Sequence, residues 1–347
     1  MEHLLPSYRD PLFSVLLIVG LALIISLATY GWNLYKQQKE QGRLLKFLDK
    51  FDSSECALDT ADMPFEPHLL KPLSLLAKAF ETAGEYHKAV NLYLYLIKHA
   101  QSDALKLELM ERLGNTYLHA GFLERARSIY VEILRKRPRN VTVLYELGIV
   151  YEMMQRYDKA EEILEPLEML GEEISGLRHH LAFLRLQSDL ASSPDLRRDK
   201  LIALLEEAPE LYRDILAALF RLDTAAAWRL VDSERLDDIL DILWFLPGSQ
   251  LDLDIIANDK RLSTLFYARG YGKKPSTQSG IFSLDVIANA RANGYEAAGL
   301  EFSYLCNACK HSYPVAFTRC PNCMALHTLK VEENIANITA QERYTLF

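Results

Sequence analysis

Two stretches, LGNTYLHAGFLERARSIY (residues 113–130) and LGIVYEMMQRYDKAEEIL (residues 147–164), decide how this chain folds. Leu113-Gly114, Tyr117, Gly121, Ala126 and Tyr130 of the first return as Leu147-Gly148, Tyr151, Gln155, Ala160 and Leu164 of the second, 34 residues on. A fixed period of this length marks a stacked supersecondary unit. The residue types say which unit. Gly after the first Leu and Ala twelve positions later let two antiparallel helices touch, and the large residues between them fill the gap to the next pair. One such hairpin cannot bury its apolar face alone, so the units must stack. An earlier unit reads Leu76-Ala77, Phe80, Gly84, Tyr86, Ala89 and Tyr93; its Ala89 precedes Ala126 by 37 residues, which places a small insertion around Gln101-Ser102-Asp103. Pro138 stops a helix because it cannot continue the hydrogen-bond ladder.

The spacing is that of the tetratricopeptide repeat. Leu181-Ala182 keeps the phase, 34 residues after Leu147-Gly148, but residues 188–194 interrupt its partner helix. From 196 to 294 the chain stays helical and loses the period, with candidate helices at 196–207, 210–222, 234–246, 258–269 and 284–293. Ser283 suits an N-cap and Gly294 a helix stop. Ile239, Leu240, Leu243, Trp244 and Leu246 read as core. The first helix of each pair lines the concave face of such an array. By phase its exposed positions include Lys71, Ser74, Lys78, Glu108, Glu111, Asn115, His119, Tyr145, Glu152 and Met153, the candidate partner-binding surface.

Near the C-terminal end stand Cys306-Asn307-Ala308-Cys309 and, after ten residues, Cys320-Pro321-Asn322-Cys323. Thiolates at this spacing grip one metal ion from a tight turn, and two such turns complete a tetrahedral site. Cys306, Cys309, Cys320 and Cys323 are therefore the candidate ligands, for zinc or iron, since tetrahedral sulfur suits both. Residues 301–305 and 324–331 read as the strands entering and leaving. His311 and His327 are not needed as ligands once four thiolates close the site. Such a site has no open position for hydrolytic work.

Residues 12–35 contain no charged side chain, and about 20 apolar residues span a bilayer. Tyr30, Trp32 and Tyr35 suit an interfacial belt. Lys36, Lys39, Arg43, Lys46 and Lys50 follow the run, against Arg9 alone before it. Positive flanks stay on the cytoplasmic side, so the N-terminus is expected outside and the body inside. A cytoplasmic body also suits five cysteines that form no disulfide framework. Residues 36–67 read as a juxtamembrane helix and linker containing Cys56. The formal net charge of -8 argues against general nucleic-acid binding, which needs clustered Lys and Arg. There is no HExxH, phosphate-cradling Gly-Lys-Ser/Thr loop or nucleophile elbow, so no enzyme is expected. His179 and His180 are neighbours on a helix and point apart.

The expected fold class is mostly α: an N-terminal transmembrane helix (1–35), a tetratricopeptide solenoid (68–190), a degenerate helical extension (191–299), a small β module of rubredoxin-like or zinc-ribbon type (300–332) and a tail (333–347). This order, with CxxC-x10-CPxC and Tyr304-Leu305 before it, resembles the lipopolysaccharide assembly protein B family. Lys310 stands where that family usually has Gly, Thr318 where it has an aromatic residue beside Phe317, and Leu326 where another aromatic is usual. The resemblance implies a bacterial inner-membrane adaptor that links a membrane AAA+ protease to the deacetylase of the lipid A pathway, associates with lipopolysaccharide transport proteins, and packs its metal module on the repeats. A homo-oligomer is compatible with it. It also implies that the family's need for metal cysteines falls on Cys306, Cys309, Cys320 and Cys323. The alternatives are a rubredoxin-type iron electron carrier, a zinc ribbon for nucleic acid, and a repeat scaffold for another membrane complex.

Overall fold

The computed structural model describes residues 66–275 and 278–337. The expected anchor at 12–35, the linker with Cys56 and the tail beyond 337 lie outside these residues. No helix among those described is long and apolar enough to cross a membrane. The chain divides into two units, one ending at Leu109 and one beginning at Met110.

The first unit holds helices α1 (Leu70–Thr82) and α2 (Tyr86–Lys98) and the beginning of α3 (Asp103–His119). Ala77 and Ala89 are fully buried where α1 and α2 meet, as their small side chains require. The second unit continues through α4 (Leu123–Lys136), α5 (Val141–Met153), α6 (Tyr157–Glu162), α7 (Leu164–Met169) and α8 (Ser175–Ser188). It then runs through α9 (Pro194–Glu207), α10 (Tyr212–Leu222), α11 (Thr224–Leu230), α12 (Leu236–Trp244), α13 (Leu253–Asn258), α14 (Lys260–Arg269) and α15 (Phe282–Ala292). Three strands close it: β1 (Ala298–Cys306), β2 (Ser312–Tyr313) and β3 (Leu329–Asn337).

The repeat signature is visible as chemistry. A Cβ on Gly114 would fall 2.5 Å from Cε1 of Tyr130, a ring with no exposed surface, so α3 and α4 approach this closely only because position 114 is Gly. At Gly148 the nearest atom to such a Cβ is Ile163 Cγ2 at 3.8 Å, so glycine there is a preference rather than a necessity. Each helix pair turns in the same way. The N–H groups of Glu85, Phe122 and Arg156 reach back to the carbonyls of Phe80, Tyr117 and Tyr151. The residue before each, Gly84, Gly121 or Gln155, has positive φ. This is the six-to-one bond of a helix C-terminus that needs one left-handed residue.

Beyond the repeats, all five candidate helices occur, each within two residues at its N-terminal end. The chain also forms α11 and α13, short helices that the lost period concealed. The interrupted partner of α8 is α9. The turn before it is held by Asp189, whose Oδ1 accepts from the N–H groups of Ala191 and Ser192, and by Ser193, which accepts from Leu196. Ser283 is not an N-cap. It lies buried inside α15, which starts earlier, and its hydroxyl donates to Glu333. Gly294 does stop that helix, at φ 86°.

Helices α8 to α15 share one apolar core. Phe220 packs edge to face on Trp228, Phe266 lies tilted against the same indole, and Ile239, Leu240, Leu243, Trp244 and Leu246 are buried there as their periodicity suggests. Leu300 of β1 joins the same core, and Phe302 lies against Trp244 and Phe245. The sheet order is β2-β1-β3, all antiparallel. The outgoing strand differs from expectation. Residues 324–328 are irregular, with Leu326 bridged to Arg319, and β3 runs from Leu329 to Asn337, pairing Asn337 with Ala298. Residues 333–337 are therefore sheet rather than tail.

Candidate metal centre

The two cysteine turns are built alike. Cys306 N–H donates to the carbonyl of His311 at 2.9 Å, and Lys310 N–H returns to the Cys306 carbonyl at 2.8 Å. In the second turn Cys320 N–H donates to Ala325 and Met324 N–H to Cys320, both at 2.9 Å. Such a knuckle reverses within four residues, which forces positive φ on the residue after its second cysteine: 61° at Lys310 and 56° at Met324. That accounts for the glycine usual at position 310 in the family this chain resembles, and it identifies Lys310 as a strained substitute.

The turns bring all four sulfurs within 4.8 Å of one another. Cys306 Sγ lies 3.7 Å from Cys323 Sγ, and Cys309 Sγ lies 3.6 Å from Cys320 Sγ. Metal–sulfur bonds of about 2.3 Å in a tetrahedron give edges of about 3.8 Å, so the spacing fits one tetrahedral ion. Four thiols this close cannot all ionise unaided. The backbone N–H of His311 holds Cys309 down to about 5, while desolvation and the neighbouring sulfurs push Cys323 up to about 12. A divalent cation on the four sulfurs would supply the charge that lets every one of them be a thiolate. Cys306 and Cys320 are fully buried, and Cys323 belongs to the exposed side. Thr328 Oγ1 lies 3.2 Å from Cys306 Sγ, and Tyr313 Oη lies 3.6 Å from Cys320 Sγ. Phe317 packs edge-on against Tyr313, so the neighbour of Thr318 supplies the aromatic surface.

Two carboxylates fix the module to the helices. Arg319, beside Cys320, places its guanidinium on Glu152 at the end of α5; Nε lies 2.9 Å from Oε1 and the second nitrogen closes the fork. His180 Nε2 sits 3.1 Å from the same Oε1, and the His180 ring meets His327 edge-on. Burial alone would raise the Glu152 carboxyl; the hydrogen bonds from His180 and Arg319 outweigh it and bring it down to about 2. On the opposite flank, Asp241 of α12 accepts two bonds of 2.6 Å from Arg213 and one of 2.8 Å from the Tyr304 hydroxyl. Desolvation, with Asp241 beside it, raises the Tyr304 hydroxyl.

The candidate partner surface is thus partly taken up by the chain itself. Glu152 is buried under Arg319, so it is withdrawn from any open face. Asn140 donates to Glu111, Asn115 donates to Glu146, and the Tyr145 hydroxyl donates to the Glu173 carbonyl, each bond joining successive helix pairs. Asn140 also caps α5 through Val143 N–H. Ser74 is half-buried, as is His119, whose ring burial pushes down in pKa. Lys71, Lys78, Glu108 and Met153 remain exposed. His179 and His180 do diverge: His179 contacts Glu210 at 2.9 Å. Sequence reasoning missed Asp241, Arg213 and Arg319. No motif marks them, and Arg319 carried only its place beside a ligand.

Fold and site define a helical repeat protein with a four-cysteine module able to hold a metal ion. Residues 117–171 match a tetratricopeptide repeat family model. A 120-residue stretch, 33% of this chain, is 25% identical to lipopolysaccharide assembly protein B of Escherichia coli K12 and of the O157:H7 strain. The match spans 31% of the length of these relatives, so the chain covers about a third of them. Among solved structures, the MamA RS-1 ArsTM double mutant is similar over 50% of this chain and 93% of its own, at 16% identity and a TM-score of 0.36. A tetratricopeptide repeat protein from Parabacteroides merdae is similar over 66% of this chain and 88% of its own, at 19% identity and a TM-score of 0.36.

Proposed function

We propose that this chain is a scaffold for protein–protein interaction, anchored to the bacterial inner membrane with its body in the cytoplasm, and that it regulates lipopolysaccharide assembly. One observation carries the scaffold reading. The four-cysteine turn is fixed by Glu152–Arg319 to the end of a repeat helix, where a metal serves shape rather than reaction. The cysteines surround the ion position from four sides and leave no coordination place for a substrate. In this role Cys306, Cys309, Cys320 and Cys323 would hold the ion, which would supply the cross-link between the two knuckles. Lys310 and Met324 carry the chain through the turns, and Arg319 and Tyr304 transmit the position of the knuckles to α5 and α12.

The finer role rests on the apolar segment at 12–35 and on the likeness to lipopolysaccharide assembly protein B. In it the chain couples a membrane AAA+ protease to its lipid A-pathway deacetylase. The test is a pull-down of the intact protein from detergent with metal analysis of the same sample, beside the lifetime of the deacetylase in a deletion strain. Co-purification of the protease and a changed lifetime are expected. An unchanged lifetime sinks the lipopolysaccharide role and leaves the scaffold standing. A red, reversibly reducible sample would turn the reading towards electron transfer.

A further inference from the structure

A groove of about 370 Å³ opens between α8, α9 and α10, away from the cysteines. Its apolar walls come from Leu186, Leu201, Ala218 and Leu222, and its polar groups from Arg197, Arg221 and Gln187. In a chain of net charge -8, no carboxylate among the described residues lines it. The nearby Arg198 shows what a structural arginine looks like here, since it is shared by Asp195, Asp199 and Asp223. Arg197 and Arg221 have no such partner among the described residues, and the Arg197 Nε is buried without any hydrogen bond.

The position of Arg197 sharpens this. It lies in the first turn of α9, where the helix dipole disfavours a cation. A buried guanidinium nitrogen left unbonded costs stability as well. Arg221 lies in the last turn of α10, where the dipole does favour a cation, so the anomaly is centred on Arg197. Two arginines that line a groove with apolar walls, Arg197 half-buried and Arg221 exposed, match a dianionic oxyanion carried on a hydrocarbon, because the fork geometry of Arg fits phosphate oxygens.

We propose that this groove binds a phosphate monoester with a short apolar substituent. The phosphate sits between Arg197 and Arg221, Gln187 supplies a further donor, and the substituent covers the half-buried Leu186 and Leu222. A soluble phosphate ester and a lipid headgroup share this chemistry.

The test uses the full chain in nanodiscs of zwitterionic lipid, titrated calorimetrically with hexyl phosphate at pH 8. Saturable binding at one site per chain is expected. Inorganic phosphate, lacking the apolar part, binds about tenfold more weakly or less. The R197Q/R221Q double variant loses at least about tenfold in affinity, with its helical content and metal content unchanged. The single variant Arg197→Leu separates binding from support. A binding residue held at a local disadvantage gives an unchanged or raised Tm on removal, whereas a structural one lowers it. Discs containing phosphatidic acid distinguish the source. Weakened hexyl phosphate binding there identifies a lipid-borne ester, and unchanged binding a soluble one; both support the site. No saturable heat, equal affinity in the double variant, or a lowered Tm for Arg197→Leu overturns the proposal.

Discussion

The repeat helices and the cysteine module solve the same problem, a close approach of backbone to backbone, by opposite means. In the repeats the approach is made by leaving a side chain out: Gly114 lies where a Cβ would strike Tyr130. In the module it is made by adding a shared centre, four sulfurs within 4.8 Å, and the backbone accepts positive φ at Lys310 and Met324. The repeat solution is distributed over many small contacts. The module solution is concentrated in one ion position and two anchoring carboxylates. Damage should therefore be graded in the first region and all-or-none in the second.

The largest effect tests that contrast directly. Cys306→Ser or Cys320→Ser should cost the module metal affinity and folding together, on the order of 10 kcal/mol, with the repeats intact. Metal analysis and limited proteolysis of residues 298–337 measure it, and a chelator should reproduce it. A folded, metal-free module would break the comparison. Next comes the anchor. Arg319→Ala leaves Glu152 buried without its main partner and should destabilise the second unit by about 3–5 kcal/mol. Chemical denaturation reads this, and Glu152→Gln in the same background should recover part of it.

The same pair sets a pH dependence. The Glu152 carboxyl stands at about 2, well below the 4.5 of an ordinary glutamate. A lowered folded-state value means stability that is fully present above about 4.5 and is lost as pH falls towards 2. The loss is of order 3 kcal/mol across that window. Glu152→Gln should flatten that segment of the stability curve; an unchanged slope in the variant would show that other carboxyls carry it. Smaller still is the repeat contrast. Gly114→Ala should lose about 1–3 kcal/mol by overpacking against Tyr130. Gly148→Ala, with 3.8 Å of clearance, should gain up to about 1 kcal/mol from helix propensity. Equal thermal shifts for the two would refute the close-approach account. The smallest expected effect is Lys310→Gly, a gain of about 1 kcal/mol from relief of the left-handed residue, read as a rise in Tm of the metal-loaded protein.

Period and spacing made much legible in advance. A stacked repeat writes its contacts locally, so Leu113-Gly114 and Ala126 announce helix, turn and partner. A cysteine knuckle likewise closes within four residues, and its ligands sit at fixed intervals. The extension was harder because its helices share one core without sharing a period, and α11 and α13 are too short to show an amphipathic pattern. Ser283 was misread because capping chemistry and a buried hydroxyl bonding Glu333 look the same in one dimension.

What the sequence determined by itself is therefore what is local: the helix pairs, the period on which they stack, and four cysteines spaced to hold one ion. What only the tertiary structure decided is where that site rests. Glu152 looked like an exposed position on a binding face. It is instead the buried seat of Arg319, 167 residues away in the chain. Asp241 carried no motif, yet it receives both Arg213 and Tyr304. The reason is physical. A charge reveals nothing in sequence about whether water or a distant partner will satisfy it, and that is settled only when folding removes the water.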